Sequence, residues 1–261
     1  MHALPVSSPT RTHRPRPWAL PILFALSGVS LHGAVRAEPG PEEIVRRADA
    51  IRFPVQGFQA DVRITTTATG RDPDVREYRI LSKGNDNTLV MTMAPAAERG
   101  HILLMKGRDL WGFVPRVSQP VRLPLAQRLT GQVANGDLAR ARFAGDYVPE
   151  LLRTEQTDGK PHYVLELRPS GKGVTYPRVL YWVEHNTFRP RKADFYSLSG
   201  RHLKTCDYEE YRPIGGETRP TRLVMTDRLR GGERSVLDFD GIQPRDLPDV
   251  VFTKDYLKKL Q

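Results

Sequence analysis

Residues 186–211, which read NTFRPRKADFYSLSGRHLKTCDYEEY, hold side chains that could perform nucleophilic chemistry. A cysteine, two serines, a histidine and several carboxylates stand close together, and hydrolases use such groups as nucleophile, base and orienting acid. Their order is nevertheless typical of strands and turns. Asn186-Thr187 and Ser199-Gly200 are turn pairs that separate three adjacent strands.

The last of these strands shows why the stretch is predicted to be part of a β-sheet and not a catalytic centre. Thr205, Asp207 and Glu209 alternate with Cys206 and Tyr208, as expected for a strand with one face towards water. The acids are predicted to lie on the solvent face. Cys206 is predicted to be a small buried hydrophobic residue.

Other catalytic and metal-binding patterns are missing from the sequence. One cysteine cannot build a zinc site, and no nucleophile-elbow or phosphate-loop motif is present. Asp137 and Asp146 could form a carboxylate pair, but helix capping and loop solvation explain them more simply. We therefore expect a protein that is not an enzyme, with no metal and no cofactor. The histidines after residue 37 lack metal-ligand spacing: His101, His162, His185 and His202.

The first 37 residues have the anatomy of a secretory signal peptide. Arg11, Arg14 and Arg16 precede a mostly apolar run over residues 18–35, and Val35-Arg36-Ala37 offers the small residues of a cleavage site. The alternative is a membrane anchor, for which the run is marginal in length. The predicted organisation is a cleaved signal peptide over 1–37 and a single domain over 38–261. Without a cysteine in the signal the protein is expected in the periplasm, not lipid-anchored.

Composition excludes further classes of protein. The net charge is +10, yet acids and bases alternate along the chain, so nucleic acid is not expected as a partner. The basic excess could instead favour anionic lipid head groups or an acidic partner protein. Cys206 is the single cysteine, so no intramolecular disulfide can form.

The chain after the signal reads as one long meander. GPEEIVRRADAIR (residues 40–52) predicts a short amphipathic helix, and from Phe58 onwards the apolar period changes from about 3.6 to 2. About eleven strands follow, separated by Gly, Asn, Asp and Pro. An antiparallel sheet of this size is expected to curl.

Residues 117–151 interrupt the meander without strand alternation. They contain helix-like pieces at 125–129 and 137–142, and a connection of this length is usually functional. A short C-terminal helix is predicted after Thr253, its capping residue.

Alternation also predicts the side chains that face the inside of the curl. A surface of this kind could hold an apolar ligand or form an ordinary core. The predicted lipid-binding set is Phe58, Val62, Ile64, Tyr78, Ile80, Leu89, Met91, Met93, Ile102, Leu104, Leu165, Leu167, Tyr181, Val183, Leu223 and Met225.

Three stretches together resemble the LolA-like periplasmic carriers, the outer-membrane lipoprotein-sorting family. They are RGHILLMKGRDLWGFVP (99–115), LYWVEHNTFRPRKADFYSLSGRHLKTCDYEEY (180–211) and LPDVVFTKDYL (247–257). The resemblance implies a mainly β fold, an eleven-stranded unclosed antiparallel β-barrel whose mouth is covered by short helices. It also implies a hydrophobic cavity for acyl chains, with the insert 117–151 as its lid. The middle stretch carries the family's hairpin pattern at Trp182, Pro190, Lys192, Tyr196, Gly200 and Lys204.

The leading hypothesis is a non-enzymatic carrier that binds the acyl chains of a lipid or lipoprotein and shuttles it towards the outer membrane. Its expected partners are an inner-membrane transporter complex and an outer-membrane acceptor, and the chain is expected to act as a monomer. The alternative is a structural or scaffolding subunit of an envelope export complex with a filled core. A third hypothesis is a lipid hydrolase with Cys206 as the nucleophile.

Overall fold

One antiparallel sheet of thirteen strands forms most of the protein. The computed structural model describes residues 38–115, 117, 119–229 and 231–258. The predicted signal peptide lies outside these residues. The strands of this sheet are β1 (Phe58–Ala68), β2 (Arg71–Lys83), β3 (Asn87–Ala94), β4 (Ile102–Lys106), β5 (Asp109–Phe113), β6 (Val121–Leu123), β9 (Tyr147–Thr157), β10 (Lys160–Pro169), β11 (Arg178–Glu184), β12 (Pro190–Tyr196), β13 (His202–Ile214), β14 (Glu217–Asp227) and β15 (Arg234–Pro244). The short strands β7 (Arg128–Thr130) and β8 (Val133–Ala134) pair with each other in a separate two-stranded sheet.

In the described part of the chain, three short α-helices accompany the sheet: α1 (Pro41–Arg52), α2 (Asn135–Ala139) and α3 (Lys254–Lys258). Helix α1 begins one residue after the predicted start and ends at the predicted Arg52, with Pro41 in its first turn and a buried face that includes Ile44, Val45 and Ala48. Thr253 accepts a hydrogen bond from the Tyr256 N–H at 3.2 Å, which is the predicted cap of α3. None of the described helices has the length and apolar character needed to cross a membrane.

The strand order shows that the sheet is unclosed, as predicted. It runs β6-β5-β4-β3-β2-β1-β15-β14-β13-β12-β11-β10-β9, so β6 and β9 form its two edges. All neighbours are sequential hairpin partners except β1 and β15, which join the first and last strands in the middle of the sheet. The count exceeds the expected eleven partly because the short strand β6 lies inside the segment predicted to lack strands.

The two faces of the sheet pack against different parts of the chain. The inner face carries α1 and α2 and forms the larger apolar cluster, which includes Ile44, Ile64 and Leu138. The outer face of β2–β5 is covered by the C-terminal segment, whose Leu247 and Phe252 are buried there. Both faces of these strands are therefore largely apolar.

This arrangement corrects part of the predicted inward set. Leu89, Ile102 and Leu104 belong to the outer cluster, and Met91 packs against it. Met93 lines a groove on the charged outer surface of β1, β2 and β15. The inner face of β3 instead carries Val90 between two threonines. Alternation alone could not distinguish the faces, because the C-terminal segment makes the outer one apolar as well.

The insert 117–151 also differs from its prediction. Residues 125–129, predicted to be helical, contain no helix, and the strand β7 begins at Arg128. Helix α2 begins at Asn135, two residues before the predicted start, and ends at Ala139. We call residues 124–146, which lie between β6 and β9 along the chain, the lid segment.

Leu104→Ala tests the packing of the outer cluster. Leu104 is 1% exposed, so its truncation should lower the free energy of unfolding by about 2–5 kcal/mol. The measurement is urea denaturation, with Val75→Ala, at a position 45% exposed on β2, as the control. A loss as small as that of the control would contradict a sealed outer face.

Candidate functional site

The inside of the curl is filled by the protein's own side chains. Eleven of the predicted lipid-binding residues come together there: Phe58, Val62, Ile64, Tyr78, Ile80, Leu165, Leu167, Tyr181, Val183, Leu223 and Met225. Leu138 and Phe143 of the lid segment belong to the same cluster. Two internal spaces next to these lid residues measure about 20 and 10 Å³. Such spaces hold a water molecule or two, and an acyl chain needs far more room.

A side groove with both apolar and polar lining, the latter including Glu98, His101 and Arg128, opens between the inner face of β2–β5 and the lid segment. Its volume is about 240 Å³. Tyr78, Val90, Leu103 and Leu123 line it from the sheet, and Leu129 lines it from the lid segment. These five residues either belong to the inner cluster or pack against it, so the groove is continuous with the filled interior.

A larger space of about 500 Å³ lies on the outer surface of β1, β2 and β15. Its lining includes two ion pairs, Arg79 with Asp61 at 2.7 Å and Arg63 with Glu77 at 2.7 Å. A surface of half-exposed paired charges does not suit an apolar ligand, so the smaller side groove is the better candidate.

A buried ion pair fastens α2 to the sheet. Lys204 Nζ of β13 donates to Asp137 at 2.6 Å, and both side chains are at most 7% exposed. The Tyr176 hydroxyl donates to the same carboxylate at 2.9 Å. The Asp137 carboxylate also accepts from the Ala134 N–H, which caps α2. Lys204 thus joins the lid segment to the sheet. We call Lys204, Asp137 and Tyr176 the latch.

A second buried ion pair holds the end of the lid segment. Arg140 donates to both oxygens of Asp146 at 2.6 Å, and its Nη1 donates to the Gly107 carbonyl at 2.8 Å. Asp146 is 3% exposed. The predicted capping role is confirmed for Asp137, whereas the predicted solvation of Asp137 and Asp146 is wrong. Both carboxylates are buried because each has a cationic partner.

Helix α1 contacts the lid segment through Asp49. Its Oδ2 accepts from the backbone N–H groups of Phe143 at 2.8 Å and Ala144 at 2.7 Å. Burial raises the pKa of Asp49, and the nearby Arg52 charge opposes that rise. These buried charges were not foreseen as site residues.

In the part of the chain that the structure describes, the cysteine and histidine side chains that could take part in catalysis or metal binding do not lie in surroundings suited to either role. Cys206 is 1% exposed on the inner face, and burial raises the pKa of its thiol to about 12, which disfavours the nucleophilic thiolate. Within residues 38–115, 117, 119–229 and 231–258, no three His, Cys, Asp or Glu side chains group as a metal site would require. His162 is buried, with its Nδ1 2.9 Å from the Lys160 carbonyl.

The fold matches a known superfamily. A solved LolA superfamily protein from Nitrosomonas europaea is 56% identical and superposes with a TM-score of 0.81, covering 84% of this chain and 99% of that chain. The chain belongs to the LolA superfamily. A family model described as an uncharacterized protein matches residues 84–259. No significant match was found among proteins of curated function.

Two more distant structures share the fold. A DUF1329 family protein from Desulfovibrio piger is 22% identical with a TM-score of 0.71, covering 83% of this chain and 97% of that chain. An outer membrane lipoprotein-sorting protein domain from Vibrio parahaemolyticus is 21% identical with a TM-score of 0.72, covering 84% and 98%. Membership of this superfamily suggests a carrier role for the chain.

Asp137→Asn tests whether the latch holds the lid segment closed. Removing one charge of a buried pair costs about 3–5 kcal/mol, and each 1.4 kcal/mol corresponds to a tenfold change in an equilibrium. Because Cys206 is buried on the inner face, its labelling rate with a thiol reagent at pH 8 reports opening. We expect the rate to rise tenfold or more.

The matched control for this experiment is Glu77→Gln, the same kind of change in an exposed ion pair with Arg63. It should leave the labelling rate unchanged. If Asp137→Asn lowers the free energy of unfolding but leaves the labelling rate unaltered, the latch stabilises the fold without holding the lid.

Proposed function

We propose that this LolA superfamily protein is a non-enzymatic carrier that holds an acyl chain of a lipid or lipoprotein against the inner face of its sheet. The observation that carries the proposal is the side groove, whose apolar lining residues are continuous with the inner cluster. A groove of about 240 Å³ is slightly smaller than a usual ligand site, so the lid segment has to move to admit a full chain.

The free energy of transferring an acyl chain from a bilayer to the protein is small, so a small movement of the lid segment could control it. An acyl chain of about 16 carbons gains roughly 12 kcal/mol on leaving water, at about 0.8 kcal/mol per methylene. A bilayer offers nearly the same gain, so transfer between bilayer and protein is close to neutral. The balance then depends on what holds Leu138 and Phe143 inside, which includes the latch and the contacts of Asp49.

The proposed place of action is the periplasm. The signal peptide predicted over residues 1–37 would bring the domain 38–261 there. An inner-membrane transporter complex would load the carrier, and an outer-membrane acceptor would receive the cargo. The name of the Vibrio structure, an outer membrane lipoprotein-sorting domain, supports this direction of transport.

The filled interior favours a second candidate function. A structural subunit of an envelope export complex would keep Leu138 and Phe143 permanently in the core and would bind no lipid. The two functions differ in one measurable property, the uptake of acyl chains.

Native mass spectrometry of the protein purified from a Gram-negative periplasm tests the carrier proposal. We expect a bound acyl species on the wild-type protein. Leu103→Trp should reduce its occupancy strongly, because the larger ring fills the side groove without adding a buried charge. Val148→Trp, at a position 58% exposed on the edge strand β9, is the matched control and should bind as the wild type does.

Two outcomes would contradict parts of the proposal. A wild-type protein that carries no acyl species, and takes up none from lipid vesicles, would favour the structural subunit. Equal occupancy in Leu103→Trp and Val148→Trp would show that the chain enters elsewhere.

A further inference from the structure

Arg52 places a guanidinium inside the apolar core. The residue is 6% exposed, and its charge lies over the rings of Phe143 at 4.8 Å, Tyr208 at 5.3 Å and Phe53 at 5.6 Å. Its Nη1 is 3.2 Å from Asp49. Within the described part of the chain, its Nε has no hydrogen-bond acceptor. A buried charge is normally fully paired, so this donor is an exception.

The hydroxyl of Tyr181 is a second exception at the same place. Tyr181 is 0% exposed, and no described group accepts or donates a hydrogen bond to its Oη. The Tyr181 ring stands edge-on to Phe143, with centroids 5.1 Å apart. Burial raises the pKa of Tyr181, and the charge of Arg52 is close enough to oppose that rise. Phe143 of the lid segment thus contacts both Arg52 and Tyr181.

The acid beside Arg52 is shared with other donors. Asp49 Oδ2 accepts from the N–H groups of Phe143 and Ala144, so the carboxylate is not devoted to Arg52. Arg142 is also nearby: burial lowers its pKa, and the Arg52 charge lowers it further. Arg142 itself donates to the Pro54 carbonyl. The cluster of Arg52, Arg142 and Asp49 therefore has more positive than negative charge.

We propose that Arg52 and Tyr181 bind the anionic end of a single-chain amphiphile, a carboxylate or a phosphate, once the lid segment moves Phe143 aside. This inference rests on the proposed carrier function and names its substrate class, an ionised acyl lipid. A guanidinium fork matches both anions, and a phenol hydroxyl adds a third donor. The neighbouring inner face, with Leu165 and Val183, receives the chain.

The test compares hexadecanoate, hexadecyl phosphate and neutral hexadecanol by isothermal titration at pH 8 on the full chain. We expect the two anions to bind at least tenfold more tightly than the alcohol, since hydrogen bonds to charged groups are the strong ones. Arg52→Met should remove this preference. Tyr181→Phe should weaken the anions roughly tenfold and leave the alcohol unchanged.

Tyr181→Phe also separates binding from folding. Because it removes a buried hydroxyl that lacks a partner, the free energy of unfolding should stay level or rise. The matched control is Tyr147→Phe, which loses a hydrogen bond from Tyr147 to the Tyr176 carbonyl at 3.0 Å. That variant should be less stable and should keep the preference for anions.

The outcomes distinguish the two proposals. Equal affinity for the anions and the alcohol, or a preference that survives both Arg52→Met and Tyr181→Phe, would overturn the inference and leave the carrier intact. Binding of none of the three ligands would overturn the carrier as well. Preference for only one anion would identify the head group as a carboxylate or a phosphate.

Discussion

Asp137 and Lys204 join the lid segment to the sheet through an ion pair that water hardly reaches. Such a pair gains little net free energy, because the loss of hydration offsets the attraction between the charges. Separating the two charges inside the protein would be costly, whereas exposing both of them to water restores their hydration. The latch therefore favours two arrangements, fully closed or fully open, over partly loosened ones. This all-or-none property suits a lid better than apolar packing alone would.

An interior that is filled by side chains is compatible with the proposed binding of an acyl chain. Leu138 and Phe143 belong to the inner cluster, and in the proposed carrier an acyl chain would take their place. Exchanging apolar side chains for an apolar chain changes the buried apolar area little, so neither state is strongly preferred. A permanently empty hollow would lose packing contacts along its whole lining. A carrier that fills its own cavity when unloaded avoids that loss.

Most strands of the sheet could be predicted from the alternation of apolar and polar residues. The buried charged residues could not be predicted without knowing which segments cover each face of the sheet. In β13, Lys204 alternates in step with Cys206, so a buried cysteine already indicated an inward lysine. In α1, Asp49 and Arg52 follow Val45 at helical spacing and therefore share its buried face. Both signals are visible in the sequence, yet charged residues at such positions are usually assigned to the solvent side. The partner of Lys204 and the backbone donors to Asp49 lie on the lid segment, far along the chain.

The packing on the outer face of β2–β5 explains why the lid segment, on the inner face, is the part expected to move. Leu247, Phe252 and Leu257 cover β2–β5 from outside, and Lys254 lies over the ring of Trp111. These strands are thus packed on both faces, which resists bending of the wall. Helix α1 and the lid segment pack into the inner apolar cluster. Buried polar contacts also hold them: Asp49 joins α1 to the lid segment, the latch joins the lid segment to β13, and the Arg140–Asp146 pair lies within the lid segment. The ion pair between β2 and the C-terminal segment, Lys83 with Asp249 at 2.8 Å, is exposed, whereas the latch and the Arg140–Asp146 pair are buried. In the proposed carrier an anionic guest would therefore act on the inner contacts, and opening would come from the lid segment.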